Sequence, residues 1–179
     1  MYIRLFTLFV FTFSLQTMAQ DYPFSSIPPA PKNFSASNSI CRMIQGLGFR
    51  YHWATEGLRA EDLEYRPSEE AQSTLGTIQH IYSLSITILN AAKNKVSKGP
   101  RPIPPDRLDE LRTATLDYLQ ESAELFLNFN EDELYELNII FERGGKQSKF
   151  PIWNLINGPI SDVLYHTGQV VSFRRTSGN

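Results

Sequence analysis

The chain has 179 residues, of which 41% are hydrophobic and 20% are charged, a balance typical of one globular domain. Its 17 basic and 19 acidic residues are mixed along the sequence, whereas a surface for nucleic acid needs clustered Lys and Arg, so nucleic acid is excluded as an expected partner. Cys41 is the only cysteine, so no internal disulfide can form and stability must come from core packing.

Residues 1–19 have the pattern of a signal peptide. A short region with Arg4 precedes an apolar run at residues 5–15, and the small residues Thr17 and Ala19 suit cleavage after Ala19. A retained membrane anchor is the alternative, but the apolar run is shorter than the roughly 20 residues that cross a bilayer. We therefore expect an exported protein, periplasmic or secreted, with no stable membrane span after cleavage.

Residues 20–38 are rich in Pro and Ser and lack periodicity, which predicts an extended lead-in to one domain that spans residues 39–179. The first helix is predicted between Ile40 and Leu58, where apolar residues recur every three or four positions. Gly46 and Gly48 each lower helix propensity by about 1 kcal/mol relative to Ala, so we expect a neighbouring segment to approach this helix closely.

A second helix is predicted with Ser73 as its N-cap. Its apolar residues form one stripe, and His80 lies within it, where burying an imidazole without a metal or hydrogen-bond partner would be costly. The basic, Pro-rich residues 93–105 that follow are long enough to cross one end of a helix bundle. The stripe consists of Ile78, Ile81, Tyr82, Ile88, Leu89 and Ala92.

A third helix is predicted to open at residues 105–106 and to continue at helical apolar spacing as far as Phe129. Residues 135–153 then alternate weakly around Gly144 and Gly145, which predicts a short hairpin. No segment has the alternation of a strong strand.

The last helix is predicted from about Pro159 to Arg175, with Asn157 or Gly158 at its start, because Pro is tolerated in a first helical turn. Four amphipathic helices without a strong strand predict an all-α protein, a four-helix bundle. The predicted core stripe of the last helix is Ile160, Val163, Leu164, Thr167 and Val171.

Asp162, His166 and Gln169 follow helical spacing on a stripe beside that core stripe. A carboxylate and an imidazole four residues apart can share a cation, and a third ligand from another helix would leave positions open for water or substrate. His80 is the candidate third ligand. The same spacing also suits a solvated or salt-bridged helix face, and the residues alone leave both interpretations open.

Two stretches resemble the DinB (YfiT-like) superfamily. "EYRPSEEAQSTLGTIQHIYSL" is similar to the region that enters its second helix, which carries a metal-binding His. "GPISDVLYHTGQVVSFRRTSGN" is similar to its final helix, in which two histidines precede a Gly-Gln pair and a basic stretch. The likeness runs from about residue 40 to the end of the chain. It implies a four-helix bundle of DinB type with a long crossover, to which the residue pattern adds the short hairpin before the last helix.

The resemblance implies metal ligands at His80 and His166, and Asp162 stands where the family usually has the first histidine of the last helix. This departure leaves two possibilities: a His-Asp-His site for a divalent metal (Zn, Ni, Fe or Mn), or a degraded site that binds none. We favour a retained site, because a carboxylate is itself a good ligand and the following Gly168 and Gln169 are intact.

Three further residues are candidates for the surroundings of the site. Gln169 either hydrogen-bonds a metal ligand or pairs with backbone or water. Tyr82 and Trp153 either wall a pocket or pack in the core, and core packing is the stronger expectation.

The resemblance implies a metal-dependent hydrolase or a thiol-dependent transferase that acts on a small molecule. A non-catalytic metal- or ligand-binding module is the alternative, because no residue apart from Asp162 can be assigned as a general base or acid from the sequence. Dimers are common among helix bundles, which makes a homodimer a further open expectation.

Overall fold

A computed structural model describes residues 22–99 and 102–179. The predicted signal peptide, residues 1–19, lies outside these ranges, as do the first two residues of the predicted lead-in. Within the described ranges, no helix combines the length and apolarity that a bilayer crossing requires.

The described chain is mainly helical and carries a small sheet. The elements, in chain order, are α1 (Ala36–Thr55), α2 (Ala60–Glu64), α3 (Thr74–Ala92), β1 (Val96–Lys98), α4 (Leu108–Leu127), α5 (Glu131–Glu136), β2 (Asn138–Arg143), β3 (Lys146–Pro151), a π-helical turn (Ile156–Ile160) and α6 (Ser161–Ser177). The predominantly helical class is confirmed, whereas "all-α" is incomplete because of the sheet.

Four long helices pack around one core. α4 contacts both α1 and α3, and α6 contacts both α3 and α1. The helices α3 and α4 run in the same direction: the Gln79 amide near the start of α3 donates to the Asp106 carboxylate just before α4, and Lys93 just after α3 pairs with Glu121 far along α4. Parallel neighbours need a connection that returns along the bundle, so a long crossover joins α3 to α4, as predicted.

The short hairpin before the last helix is present as β2 and β3, which pair antiparallel. Gly144 and Gly145 form its turn with φ of 55° and 74°, a backbone region that glycine enters without the strain other residues meet. The prediction missed β1, which pairs parallel with β2 at the sheet edge. Three residues within a Pro-rich connection carry too little alternation to indicate a strand, and only the neighbouring β2 makes them one.

Two helix starts differ from the prediction. Helix α1 begins at Ala36, inside the predicted lead-in, because the Ser35 hydroxyl accepts the Asn38 backbone N–H and caps the helix. Helix α4 begins at Leu108 with Arg107 at its N-cap, later than the predicted opening at residues 105–106.

The predicted lead-in is part of the packed structure from Tyr22 onward. Tyr22 and Phe24 pack against the core, and the Phe24 ring occupies the space that a side chain at position 48 would need. The expected close approach is therefore confirmed at Gly48, whereas the atom near Gly46 belongs to Arg50 of the same helix. His52, buried on α1, contacts the same segment through its Nδ1, 3.0 Å from the Pro23 carbonyl oxygen.

The last helix has a kinked entry. Gly158 departs from helical geometry (φ −105°, ψ −110°), Pro159 lies in the π-helical turn, and the regular helix begins at Ser161. Leu164 was predicted to be a core residue, but its side chain is exposed, whereas Val170 is buried. The stripe Ile160, Val163, Thr167 and Val170 is the one that faces α3 and α1, so the core-facing side is rotated from the predicted one.

A candidate metal centre between α3 and α6

The candidate site lies where α3 and α6 pack against each other. His80 comes from the second turn of α3, and Asp162 and His166 come from the first two turns of α6. Because Asp162 and His166 are four residues apart, regular α-helix stacks their side chains on one face. The kink at Gly158 sets the direction in which α6 leaves, and with it the side that this face presents to α3.

Three ligand atoms, one from each residue, lie within 4.8 Å of one another. The Asp162 Oδ2 atom is 3.5 Å from His80 Nε2, and its Oδ1 atom is 3.2 Å from His166 Nε2. The two imidazole rings meet edge to face, with centroids 4.7 Å apart and an interplanar angle of 89°. Among the residues that the structure describes, this is the one group of His, Cys, Asp and Glu side chains with such convergence.

The spacing of these atoms fits a first-row divalent metal. Ligands about 2.1 Å from a metal lie roughly 3.4 Å apart in a tetrahedral site and roughly 3.0 Å apart when adjacent in an octahedral site. The separations of 3.5 and 3.2 Å, each measured to a different oxygen of Asp162, fall in or next to that interval, and one atom from each of the three residues lies within the wider limit of 4.8 Å. One oxygen and two nitrogen donors are also the ligand types that Zn, Ni, Fe and Mn accept.

Gln169 selects the tautomer of His166. Its Oε1 atom is 2.6 Å from His166 Nδ1, and an amide oxygen only accepts, so Nδ1 carries the proton. In a neutral ring the Nε2 lone pair then faces the Asp162 carboxylate, and two lone pairs at 3.2 Å repel each other. A cation between them, or a second proton on the ring, removes the repulsion. Gln169 thus orients a candidate ligand, one of its two predicted roles.

The site is open on one side. The side chains of His80, Asp162 and His166 are 33%, 45% and 19% exposed. The expectation that His80 lies in the buried stripe of its helix is therefore wrong: Ile78 and Ile81 are fully buried, and His80 lies at the edge of their stripe, facing α6. Partial exposure leaves room for a solvent molecule or substrate beside the three ligands.

Tyr82 and Trp153 lie in different environments. Tyr82 is buried in the core beside Tyr118, with ring centroids 5.9 Å apart, and burial raises the pKa of its phenol. Trp153 is 72% exposed at the mouth of an apolar cavity, so the stronger expectation of core packing is wrong for it. The segment after β3 presents its Ile152 side chain inward instead, since both cannot face the core in a tight connection.

Tyr165 is a neighbour of the site that the prediction overlooked. Its ring packs edge-on against His166, with centroids 5.3 Å apart, and its hydroxyl accepts the Gln169 amide at 3.4 Å. The signal was available in the sequence, because Tyr165 stands four residues before Gln169 on the same helix. The hydroxyl holds the donor end of the Gln169 amide and so keeps its oxygen turned toward His166.

No family model and no curated protein matches this sequence. A solved structure does match in fold: the crystal structure of a DinB-like protein (YjoA) from Bacillus subtilis aligns over 79% of this chain and 92% of its own, with a TM-score of 0.57 and 14% identity. At that identity the likeness shows a shared fold. The described chain therefore has a DinB-like fold, as the resemblance of its two motifs implied.

Proposed function

We propose that this protein binds one divalent metal ion through His80, Asp162 and His166, and that it uses the ion in hydrolysis or group transfer on a small molecule. The observation that carries the proposal is the convergence of three ligand atoms within 4.8 Å at a partly exposed site. Two further points support it. The fold is DinB-like, and the resemblance of the sequence motifs to that family implies metal ligands at His80 and His166.

The replacement of the usual histidine by Asp162 changes the charge of the site. Two neutral imidazoles and one carboxylate contribute a single negative charge, which a divalent ion overcompensates by one. A carboxylate also prefers harder metals than an imidazole does. We therefore expect Mn, Fe or Zn to bind in preference to a soft metal such as Cu(I).

A divalent ion with an open position lowers the pKa of a water or thiol that it holds and so supplies a nucleophile near neutral pH. The residues of the chain have separate tasks around it. Gln169 holds the Nδ1 proton of His166 and leaves Nε2 free to ligate, and Asp162 spans the two imidazoles with its two oxygens. The exposed edge of the site is where a substrate can enter.

Elemental analysis of protein purified without an affinity tag tests the metal. We expect about one equivalent of a divalent metal in the native chain and loss of that metal in His166→Ala. Ser172→Ala is the matched control, since Ser172 is an exposed residue of the same helix whose hydroxyl donates only to the Gly168 carbonyl oxygen. Equal metal content in the two variants would reject the site.

A non-catalytic metal-binding module is the second candidate function. One observation favours it: the convergent group contains a single carboxylate, and that carboxylate serves as a ligand, so the group holds no further acid or base for proton transfer. Metal-loaded protein assayed on ester, amide and thiol-transfer substrates separates the two candidates. Turnover that disappears in His166→Ala supports the enzyme, and bound metal without turnover supports the module.

Export is a separate part of the proposal. The pattern of residues 1–19 supports removal of this segment and release of the remaining chain into a periplasm or the medium. Intact-mass measurement of the full-length chain expressed in a bacterial host tests it. We expect a mass that corresponds to a chain beginning at Gln20, recovered outside the cytoplasm, and the uncleaved mass in a membrane fraction would instead indicate a retained anchor.

A further inference from the structure

An apolar cavity of about 430 Å³ opens at the end of the bundle where α1 begins. Its floor is formed by the side chains of Ile40 from α1, Leu134 from α5, and Ile152 and Ile156 from the connection between β3 and α6. Its size lies within the range of small-molecule sites, about 300 to 1,000 Å³. None of its lining residues belongs to the candidate metal centre.

Two aromatic side chains stand at the mouth of this cavity. Tyr135 is 84% exposed and Trp153 is 72% exposed, although both are large enough to gain considerably from burial. They come from different elements, α5 and the segment after β3. Two exposed rings that flank one apolar cavity are typical of a site that a ligand covers rather than of a folded core.

The helix that carries Tyr135 is strongly acidic. Helix α5 has the sequence Glu-Asp-Glu-Leu-Tyr-Glu, and Glu131 and Asp132, four and three residues before Tyr135, lie on the same side of the helix as its ring. Both are exposed, and neither pairs with a Lys or Arg among the residues that the structure describes. Glu133 differs, because its carboxylate accepts the Asn130 backbone N–H in a capping box.

We propose that this cavity binds a small organic cation, a molecule with an apolar body and an ammonium group. The body fits the aliphatic floor, and the cation can lie at the mouth over the faces of Tyr135 and Trp153, where aromatic rings attract positive charge. Glu131 and Asp132 attract a cation at the mouth by Coulombic interaction and repel an anion.

The same charges argue against two other occupants. A second copy of the chain that docked through the same surface would bring the acidic α5 of each copy close to that of the other, because a two-fold interface places equivalent patches together. An anionic lipid surface would be repelled by α5. A small cation is not repelled by the acidic residues of α5.

The experiment uses three ligands with the same phenyl ring and similar chain length: phenylpropylammonium, phenylpropanamide and phenylpropanoate. Binding is followed by calorimetry and by the fluorescence of Trp153 in a Trp53→Phe background, in which it is the only tryptophan left. We expect the ammonium compound to bind about tenfold more tightly than the carboxylate, with the amide between them. Added salt should weaken the binding of the ammonium compound and leave the affinity for the amide unchanged.

Two variants separate the aromatic from the electrostatic contribution. Trp153→Ala should lower the affinity for the cation and for the amide, because both lose the ring at the mouth. The double substitution Glu131→Gln with Asp132→Asn should lower the affinity for the cation, raise the affinity for the carboxylate and leave the amide unchanged, so the three affinities should move closer together. Phe34→Ala is the control, since Phe34 is almost fully exposed and does not line the cavity.

The proposal is overturned if the three ligands bind equally, or if none binds at millimolar concentration to protein with a native helical signal. It is also overturned if sedimentation shows a dimer that Trp153→Ala dissociates, because a second copy would then cover the cavity. Since all the substituted side chains are exposed, loss of folding is not an expected outcome, and circular dichroism checks it.

Discussion

Two aspartates occupy opposite situations in this molecule. Asp62, on the short helix α2, is fully buried and accepts hydrogen bonds from the backbone and guanidinium of Arg59, from the Ser177 hydroxyl at 2.6 Å and from the Asn179 amide at 2.6 Å. The Arg59 hydrogen bonds, and then those from Ser177 and Asn179, hold the pKa of this carboxyl far below its ordinary value.

Asp162 is half exposed and contacts two imidazole nitrogens, those of His80 and His166. In the described ranges no Lys, Arg or hydroxyl donates to it. The Asp62 carboxylate, by contrast, is surrounded by hydrogen-bond donors, and these bonds join the C-terminal residues to α2. The Asp162 carboxylate faces two imidazole nitrogens, which are also possible ligands of a metal ion. The difference indicates that Asp62 contributes to folding stability, whereas the proposed function assigns Asp162 to metal binding.

Removing Asp162 should have the largest effect. In Asp162→Ala the affinity for a divalent metal should fall by about 100-fold or more, since one of three ligands and the only negative charge of the group are lost. The free energy of unfolding of the metal-free variant should change by less than about 0.5 kcal/mol, because the side chain is half exposed. Competition with a chelator measures the affinity, and urea unfolding measures the stability.

Removing Asp62 should have the converse effect. Asp62→Ala leaves the donors of Arg59, Ser177 and Asn179 without their acceptor, and we expect a loss of about 2 kcal/mol in the free energy of unfolding. Metal affinity measured in the same chelator competition should stay within about twofold of the native value. A variant with native stability would contradict the structural role of this carboxylate.

Gln169 provides a finer test of the site. Gln169→Leu keeps the size of the side chain but removes the acceptor of the His166 Nδ1 proton, so metal affinity should fall by about tenfold. Gln169→Glu restores an acceptor and should recover most of the affinity. Gln120→Leu makes the same change at an exposed position of α4, outside the group, and should have no effect.

The smallest expected effect is a dependence of stability on pH. Because the pKa of Asp62 in the folded protein lies below its ordinary value of 3.8, its contribution is complete above that value and is lost as the pH falls toward the folded-state pKa. Between pH 7 and pH 3, the difference in unfolding free energy between the native chain and Asp62→Ala should narrow by about 1 kcal/mol. A constant difference would show that Asp62 is not held ionised by its partners.

The elements with local signals were predictable. Ser73 caps α3 as expected, because an N-cap needs only its own hydroxyl and the next turn of backbone. The Gly-Gly turn produced the hairpin for an equally local reason. Strand β1 could not be predicted, since three residues become a strand only when β2 lies beside them.

The candidate site divides in the same way. The spacing of Asp162, His166 and Gln169 follows from one helix, so the sequence was sufficient to group them. The cavity between Tyr135 and Trp153 had no local signal, because its walls come from elements far apart in the chain. The rotation that exposes Leu164 and buries Val170 likewise depends on which neighbours α6 meets.

The sequence alone determined that four amphipathic helices would form and that an acid and an imidazole would share one helix face, because periodicity and capping act within a few residues. Only the tertiary structure decided that His80 of α3 meets that face at 3.5 Å. That distance depends on how α3 and α6 pack and on the direction in which the kink at Gly158 sends the last helix, and neither is encoded in residue spacing along a single element.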